Sequence, residues 1–282
     1  MMRIKLWLKS KPLVYNTILY FLNRINYFNL RFRFFFPAYK LPEFWSHRIS
    51  RVKECPENMK IDRIKDAGNI FNNYQLMHNG LKIGLGSYYD YGNTILIREN
   101  KGVHEPEEES AFQQIIDQIP ANGCIIELGS YWAFYSMWFA MKIPNASCYM
   151  IEPDPHKMNF GKINFKLNGL NGKFILGYID NKSDLRKPIP TFSVDYLVNK
   201  HNIDQIDILH SDIQGFEFRM LTGATRLLTD QRIRHLFIST HSNELHYSCI
   251  QLLESKNYLI DVSIDLDKTY SWDGLIVATR PK

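Results

Sequence analysis

The sequence predicts an α/β fold built on a mostly parallel sheet, and three observations carry that expectation. Cys124 to Glu152 reads as strand, tight glycine turn, helix and strand, the order of a right-handed βαβ unit. From there to the C-terminus, apolar strand-like runs alternate with helical patterns. The alternation then ends in two consecutive strands, Tyr258 to Ile264 and Gly274 to Thr279, close enough in sequence to form an antiparallel pair. In sheets of this kind, ligands lie beyond the carboxyl ends of the strands, where the chain order reverses.

Three regions are expected: a basic, aromatic appendage with its linker over 1–73, a β-hairpin flap over 74–101, and the α/β domain over 102–282. Residues 1–40 read as one or two helices, and Leu41 to Asn72 as a polar, proline-interrupted linker. In the flap, His78-Asn79-Gly80 signals a turn. Gly84, Gly86 and Gly92 alternate with Tyr88, Tyr89 and Tyr91 ahead of the strand-prone Thr94-Ile95-Leu96-Ile97. Tyrosines on such a flap cover a sheet or stack on a sugar face.

Within the domain, Pro106 and Glu107 to Glu109 open a helix from Ser110 to Gln118, proline suiting the first turn and the acids suiting the macrodipole. His104 and Glu105 stand just outside it, so His104, Glu105 or Glu108 is expected to contact a cofactor or acceptor. Strands follow at Cys124–Leu128, Cys148–Glu152, Lys173–Ile179, Ile206–Ile213 and Ile233–Thr240. Helices are expected over Trp132–Met141, Ser193–Lys200, Phe216–Leu228 and Glu244–Lys256. On the third of these, Phe216, Met220, Leu221, Ala224 and Leu228 share an apolar face.

Charge is unevenly placed. Residues 1–53 carry eleven Lys or Arg against one acid, Glu43, and thirteen aromatics, including Phe34-Phe35-Phe36; the remainder is net acidic by five. The longest uncharged stretch there, Pro12 to Asn23, has twelve residues. A membrane span needs ~20, and no small-residue cleavage site follows, which argues against a signal peptide. Two readings stay open for residues 1–40: helices packed on the domain with solvated Lys and Arg, or a peripheral contact with an anionic membrane. A nucleic-acid partner is not favoured, because the rest of the chain is acidic. Cys55, Cys124, Cys148 and Cys249 form no C-x-x-C pair, so no zinc site is expected and a reducing cytoplasmic setting is.

The glycine turn reads Glu127-Leu128-Gly129-Ser130-Tyr131-Trp132-Ala133. A dinucleotide site uses G-x-G-x-x-G so that the backbone can approach a pyrophosphate. One glycine among larger residues better suits a nucleoside cofactor without phosphates, and S-adenosylmethionine is the leading candidate. Glu152, at the tip of the second strand, is placed to accept hydrogen bonds from two ribose hydroxyls, and Glu127 to face an ammonium. A nicotinamide site with a degenerate loop, or a sheet without a ligand, is the competing reading.

The segment Asp212-Ile213-Gln214-Gly215-Phe216-Glu217, with Leu221-Thr222-Gly223-Ala224, resembles the D-x-x-G-x-E…L-x-G-A signature of FkbM-type methyltransferases. So do Ile151-Glu152-Pro153, Asn164 with Asn168, and Ser193-Val194-Asp195-Tyr196-Leu197. The likeness spans Gly102 to Arg280, with its motifs in the family's order. It departs where the family has a second glycine four positions after the first and this chain has Ala133. The resemblance implies the seven-stranded class I methyltransferase (Rossmann-like) sheet, and O-methylation of a sugar or another natural product. The candidate cofactor set is Glu127, Gly129, Tyr131, Ser136, Glu152, Asp195 and Glu108. The substrate set is His104, Glu105, His78 and Tyr88.

An alcohol acceptor also needs a base or a metal to remove its proton. Asp212 and His241 end neighbouring strands, so His241 is expected as general base, Asp212 as the group orienting acceptor or cofactor, and Glu217 as the residue fixing the turn. Asp212, His241 and Glu217 could instead hold a divalent metal, the less favoured reading. His210 is expected to be buried and structural, and His246, on a helix, to lie at the surface or in packing. The expected function is O-methylation of a sugar or glycolipid precursor. A non-catalytic nucleoside-binding module, or a methyltransferase acting on a non-sugar product, is the alternative.

Overall fold

The computed structural model describes residues 41–89 and 91–281. The helices and membrane contact expected of residues 1–40 lie outside them. No helix among the described residues is long and apolar enough to cross a membrane.

Seven strands form the main sheet: β4 (Cys124–Leu128), β5 (Ser147–Glu152), β6 (Lys173–Leu176), β9 (Ile206–Ser211), β10 (Ile233–Thr240), β11 (Leu259–Ile264) and β12 (Gly274–Thr279). Their spatial order is β11-β12-β10-β9-β4-β5-β6, and β12 runs antiparallel to both of its neighbours. The remaining pairs are parallel. This is the sheet that the resemblance implies. Every residue of β4 and of β9 is buried, as expected for strands covered on both faces. Alternate side chains then feed two cores. Ile125, Ile208 and Phe237 join one with Phe112, Phe134 and Trp138. Ile126, Leu209 and Ile238 join the other with Val194, Leu221 and Leu253. All four cysteines are buried and unpaired.

Ahead of the sheet, the region read as a linker is helical over α1 (Glu43–Glu54), followed by a 3-10 turn at Pro56–Lys60. Arg48, Ile49 and Val52 on α1 are buried. A three-stranded meander follows, β1 (Ile70–Phe71), β2 (Tyr74–Leu76) and β3 (Lys82–Gly84). The strand expected at Thr94–Ile97 is instead the middle of α2 (Tyr91–Glu99), where Gly92 to Ile97 are all buried. A short run buried on every side carries no periodicity to separate strand from helix. Gly92 lets α2 approach α1: a Cβ there would stand 1.9 Å from the Trp45 ring.

Other boundaries move for local reasons. Helix α3 spans Pro106–Ile116, starting at the proline rather than at Ser110. Gly177 divides the expected third strand into β6 and the short β7 (Tyr178–Ile179), which pairs with β8 (Thr191–Phe192). The helix expected over Phe216–Leu228 is split into α7 (Glu217–Thr222) and α8 (Thr225–Thr229). At the split, a Cβ on Gly223 would lie 2.5 Å from the Asp180 carbonyl oxygen, so α7 can close on that loop only through a residue lacking a side chain.

Candidate functional site

Helix α4 (Phe134–Lys142) connects β4 to β5, and the chain reverses its order between β4 and β9. Above that reversal lies a crevice of ≈ 530 Å³, a volume usual for a small-molecule site. Its floor is the turn at Gly129. The amides of Gly129 and Ser130 both donate to the Ile151 carbonyl, at 2.9 and 3.1 Å, and Asp212 N–H donates to Leu128 O at 3.0 Å. Gly129 has φ +74°, and a Cβ there would stand 1.9 Å from the Asp212 carbonyl oxygen. Glycine is therefore required both by conformation and by closeness. Tyr131 (φ 40°) and Ala133 (φ 60°) are also left-handed, a strained state for residues with a side chain.

Two buried carboxylates flank this turn. Glu152 accepts from Tyr131 N–H at 3.1 Å and from Asp154 N–H at 2.8 Å. Burial raises its pKa, and the backbone donors and Lys157 oppose that rise. Each oxygen retains a lone pair for a ligand hydroxyl. Glu127 accepts from Ser136 N–H at 2.9 Å, and burial raises its pKa against the pull of His210 and Ser136. Aromatic rings wall the crevice. Tyr88 stacks on Trp132 with centroids 4.1 Å apart, and Tyr89 N–H donates to the Tyr131 hydroxyl at 2.8 Å.

The acids opening α3 each have a separate task. Glu105 lines the crevice. Glu107 accepts from Tyr270 N–H at 2.6 Å and from the Ser271 hydroxyl at 2.7 Å, tying down the β11–β12 loop. Glu108 Oε1 lies 2.7 Å from His210 Nε2. Glu109 meets His104 Nδ1 at 2.5 Å and His78 Nε2 at 2.8 Å, and accepts from the amides of His104 and Glu105. Burial alone would lower the His104 pKa, yet Glu109 and Glu105 lift it to about 10. Glu109 in turn is held well below the usual carboxylate range, because its histidine partners outweigh burial.

At the ends of β9 and β10, His241 binds three carboxylates. Its Nδ1 is 3.0 Å from Glu217 Oε1, and its Nε2 is 3.3 Å from Asp212 Oδ1 and 3.4 Å from Asp273 Oδ1. Burial opposes its charge, but hydrogen bonds to Asp212 and Glu217 raise its pKa to about 10. Burial pushes Asp273 up to about 7, opposed by His241 and reinforced by Asp212, Glu105 and Glu108. Glu217 also accepts from Ile213 N–H and Gly215 N–H, holding the turn after β9. Asp212 and Gln214 line the crevice, and His241 reaches it through them, with Gln214 Nε2 2.8 Å from Asp212 Oδ1 and 2.7 Å from His241 Nε2. Asp273 opens instead into a small recess whose walls Glu105, Glu108 and Ser239 share with the crevice. Ligand atoms of Asp212, His241 and Asp273 all fall within 4.8 Å of one another, so this set, rather than one including Glu217, could hold a divalent ion.

Three of the sequence candidates stand elsewhere. Asp195 caps a helix, accepting from Arg226 N–H and Leu227 N–H at 3.0 and 3.1 Å; its motif position serves the α7–α8 corner, not the crevice. Ser136 is fully buried on α4 and meets Glu127 through its backbone. His78 lies behind the crevice wall, bound to Glu109 and to the Asp62 carbonyl. Of the two readings for His246, packing is the one observed: it is buried between Thr240 and Ser263. Gly129, Tyr131, Glu127, Glu152, Glu108, His104, Glu105, Tyr88 and Asp212 all line the crevice.

Sequence reasoning missed His210, Tyr135, Ser130 and Asp273. His210 is buried as expected but forms part of the crevice wall, stacked on Tyr135 at 4.2 Å. Ser130 Oγ, Tyr135 Oη and His210 Nδ1 are buried and find no hydrogen-bond partner among the described residues. A buried polar atom left unpaired costs about 1–3 kcal/mol, so three of them around one crevice mark where a polar ligand would bind. The one available signal for Asp273 was an acid directly before the last strand.

Residues 176–260 match the model of the family described as Methyltransferase FkbM domain. No curated protein matches the chain. Among solved structures, a precorrin-6y C5,15-methyltransferase from Geobacter metallireducens is similar at 12% identity and a TM-score of 0.43, over 61% of this chain and 89% of that one. TrmK from M. capricolum, solved with S-adenosylhomocysteine, is similar at 18% identity and a TM-score of 0.42, over 61% and 68%. Fibrillarin from Aeropyrum pernix, solved with S-adenosylmethionine, is similar at 19% identity and a TM-score of 0.39, over 57% and 67%.

Proposed function

We propose that this chain, with its FkbM methyltransferase match over residues 176–260, is an S-adenosylmethionine-dependent O-methyltransferase acting on a hydroxyl of a sugar or glycolipid precursor. The observation that carries the reading is the crevice over Gly129. Glu152 and Glu127 stand on either side of a turn with a single glycine, and three unpaired polar atoms line the same space. An acidic crevice suits a ligand bearing a sulfonium and an ammonium. When bound, S-adenosylmethionine supplies a methyl group on a sulfonium that leaves as a neutral thioether.

The chain's own residues position the acceptor and handle its proton. Held near 10, His241 is an imidazolium at neutral pH and cannot take a proton, so we assign the base role to Asp273, which burial poises near 7. The acceptor O–H proton passes to Asp273 as the new C–O bond forms and the C–S bond breaks. His241, locked by Glu217 and Asp212, keeps its charge and offsets the negative charge growing on the acceptor oxygen. Enclosure of the acceptor beside Glu105 and Tyr88 adds the positioning on which an in-line transfer depends.

Calorimetry with S-adenosylmethionine and with NADH tests the cofactor. Binding of the first alone supports the reading, and binding of NADH alone overturns it. Mass spectrometry for one added methylene unit across soluble saccharides then identifies the acceptor class. For the basic segment 1–40 we propose peripheral contact with an anionic membrane. Flotation with anionic vesicles, with and without that segment, tests this; no flotation of either form removes it.

A further inference from the structure

A second cavity lies outside the crevice just described. It is a groove of ≈ 390 Å³ between α1 and the β11–β12 loop, walled by the aromatics Phe44, Tyr270 and Trp272, by Arg48, Arg51 and His47, and by one carboxylate, Glu43. Two large aromatics are exposed on it: Phe44 is 53% and Trp272 48% accessible, with ring centroids 5.0 Å apart. Between them and the domain sits Arg48, only 7% accessible, its guanidinium 4.1 Å from the centroid of the Trp272 ring. Arg48 Nε is buried and has no hydrogen-bond partner among the described residues. The carboxylates of Glu105, Asp273 and Glu107 act on its charge, but none meets that donor, and an unmet donor of a buried guanidinium is costly.

The groove adjoins the reaction site through shared walls. Ser271 lines both the groove and the recess holding Asp273, and the recess shares Glu105, Glu108 and Ser239 with the main crevice. The loop that carries Trp272 also carries Asp273, and Glu107 anchors it. Arg51 fixes the same loop by donating to the Thr269 carbonyl.

We propose that this groove is an acceptor subsite for a phosphate-bearing saccharide, with the phosphate held by Arg48 and a sugar ring resting on Phe44 and Trp272. The inference rests on the methyltransferase reading and names its substrate class. A phosphate fits because Arg48 offers paired, geometrically fixed donors, with His47 and Arg51 on the same wall. A pyranose ring fits because its C–H faces pack on exposed aromatic rings. The crevice carries more carboxylates than lysines, which disfavours the anionic end of an acceptor there, and this groove borders the recess at Ser271.

The probes are a hexose 1-phosphate and the corresponding neutral hexose, titrated into full-length protein saturated with S-adenosylhomocysteine. The phosphate should bind at least about tenfold more tightly than the neutral sugar, as a charge-assisted hydrogen-bond pair implies. Arg48→Gln should erase that preference, and Trp272→Ala should weaken both ligands by a similar factor. S-adenosylhomocysteine affinity should be unchanged in each variant, which checks the fold and keeps this test separate from the cofactor reading. Equal affinity for the two sugars in the unaltered protein, or a preference that survives Arg48→Gln, overturns the proposal. Phosphatidylcholine vesicles doped with phosphatidylinositol form a parallel arm. Arg48-dependent vesicle binding assigns the phosphate to a lipid-linked sugar, and Arg48-dependent binding of the soluble probe alone assigns it to a free one.

Discussion

Glu108 Oε1 stands 2.7 Å from His210 Nε2, joining the first turn of α3 to the strand beside β4. The contact decides the charge of the crevice wall. Burial disfavours an imidazolium at His210, but Glu108, aided by Glu127, more than offsets it and raises the pKa above the ordinary 6.5. With Nε2 facing Glu108, the unpaired Nδ1 is left as a donor for a ligand. Glu108→Gln removes the carboxylate that does most to favour the imidazolium, so the His210 pKa should fall. Histidine ring shifts followed by NMR against pH measure this, and an unmoved His210 titration would contradict the assignment.

Glu152 should hold the sugar of the cofactor. Its two oxygens are already oriented by backbone amides from Tyr131 and Asp154, so it meets a ligand in a fixed pose. Hydrogen bonds to a charged acceptor contribute about 1.5–3 kcal/mol each. Losing two ribose contacts in Glu152→Ala should weaken S-adenosylmethionine binding by about a hundredfold or more. Isothermal calorimetry reads the change directly; retention within roughly threefold of the original affinity, the range of a neutral substitution, would show that Glu152 does not hold the sugar.

What the sequence made legible follows from how local each feature is. The βαβ unit, Gly129 and the acidic strand tip lie within one stretch whose periodicity and turn chemistry are self-contained. The terminal antiparallel pair was likewise readable, because two strands came without a helix between them. Thr94–Ile97 was not, since Ile95, Leu96 and Ile97 are all buried and a uniformly apolar run fits strand and helix equally. The site was harder. His210 resembles any core histidine on a strand until Glu108, 102 residues earlier in the chain, is seen beside it. Asp273 meets His241 only because β12 inserts between β11 and β10. Asp195 misled for the opposite reason: its place in a motif reflects a helix cap.

Activity should depend on pH in a bell. Asp273, near 7, must lose its proton to act as base, so kcat/KM should rise through about 7. His241, near 10, must keep its proton, so the rate should fall above about 10. Asp273→Asn should lower kcat by about 10²–10⁴, the usual contribution of a positioned base, and remove the acidic limb. A retained acidic limb in that variant would assign the base elsewhere. Chelation with EDTA should leave the rate unchanged, whereas loss restored by added magnesium would make Asp212, His241 and Asp273 a metal site.

The buried pair of His104 and Glu109 makes a prediction about stability. The folded His104 pKa is raised from 6.5 to about 10, so its contribution is complete below 6.5 and is lost as pH rises through about 10. Glu109 is shifted the other way, from its ordinary 4.5 downward, so its contribution is present above 4.5 and is lost only in acid. Both are in force together between about 4.5 and 6.5. The melting temperature should therefore decline from pH 6.5 towards 10, and His104→Gln should flatten that decline while lowering stability throughout the plateau. Removing one member of a buried ion pair costs about 3–5 kcal/mol, so Glu109→Ala should unfold the domain at a clearly lower denaturant midpoint. Denaturant melts at stepped pH values measure both effects. A slope for His104→Gln equal to that of the unaltered chain would mean that the alkaline loss arises from another group.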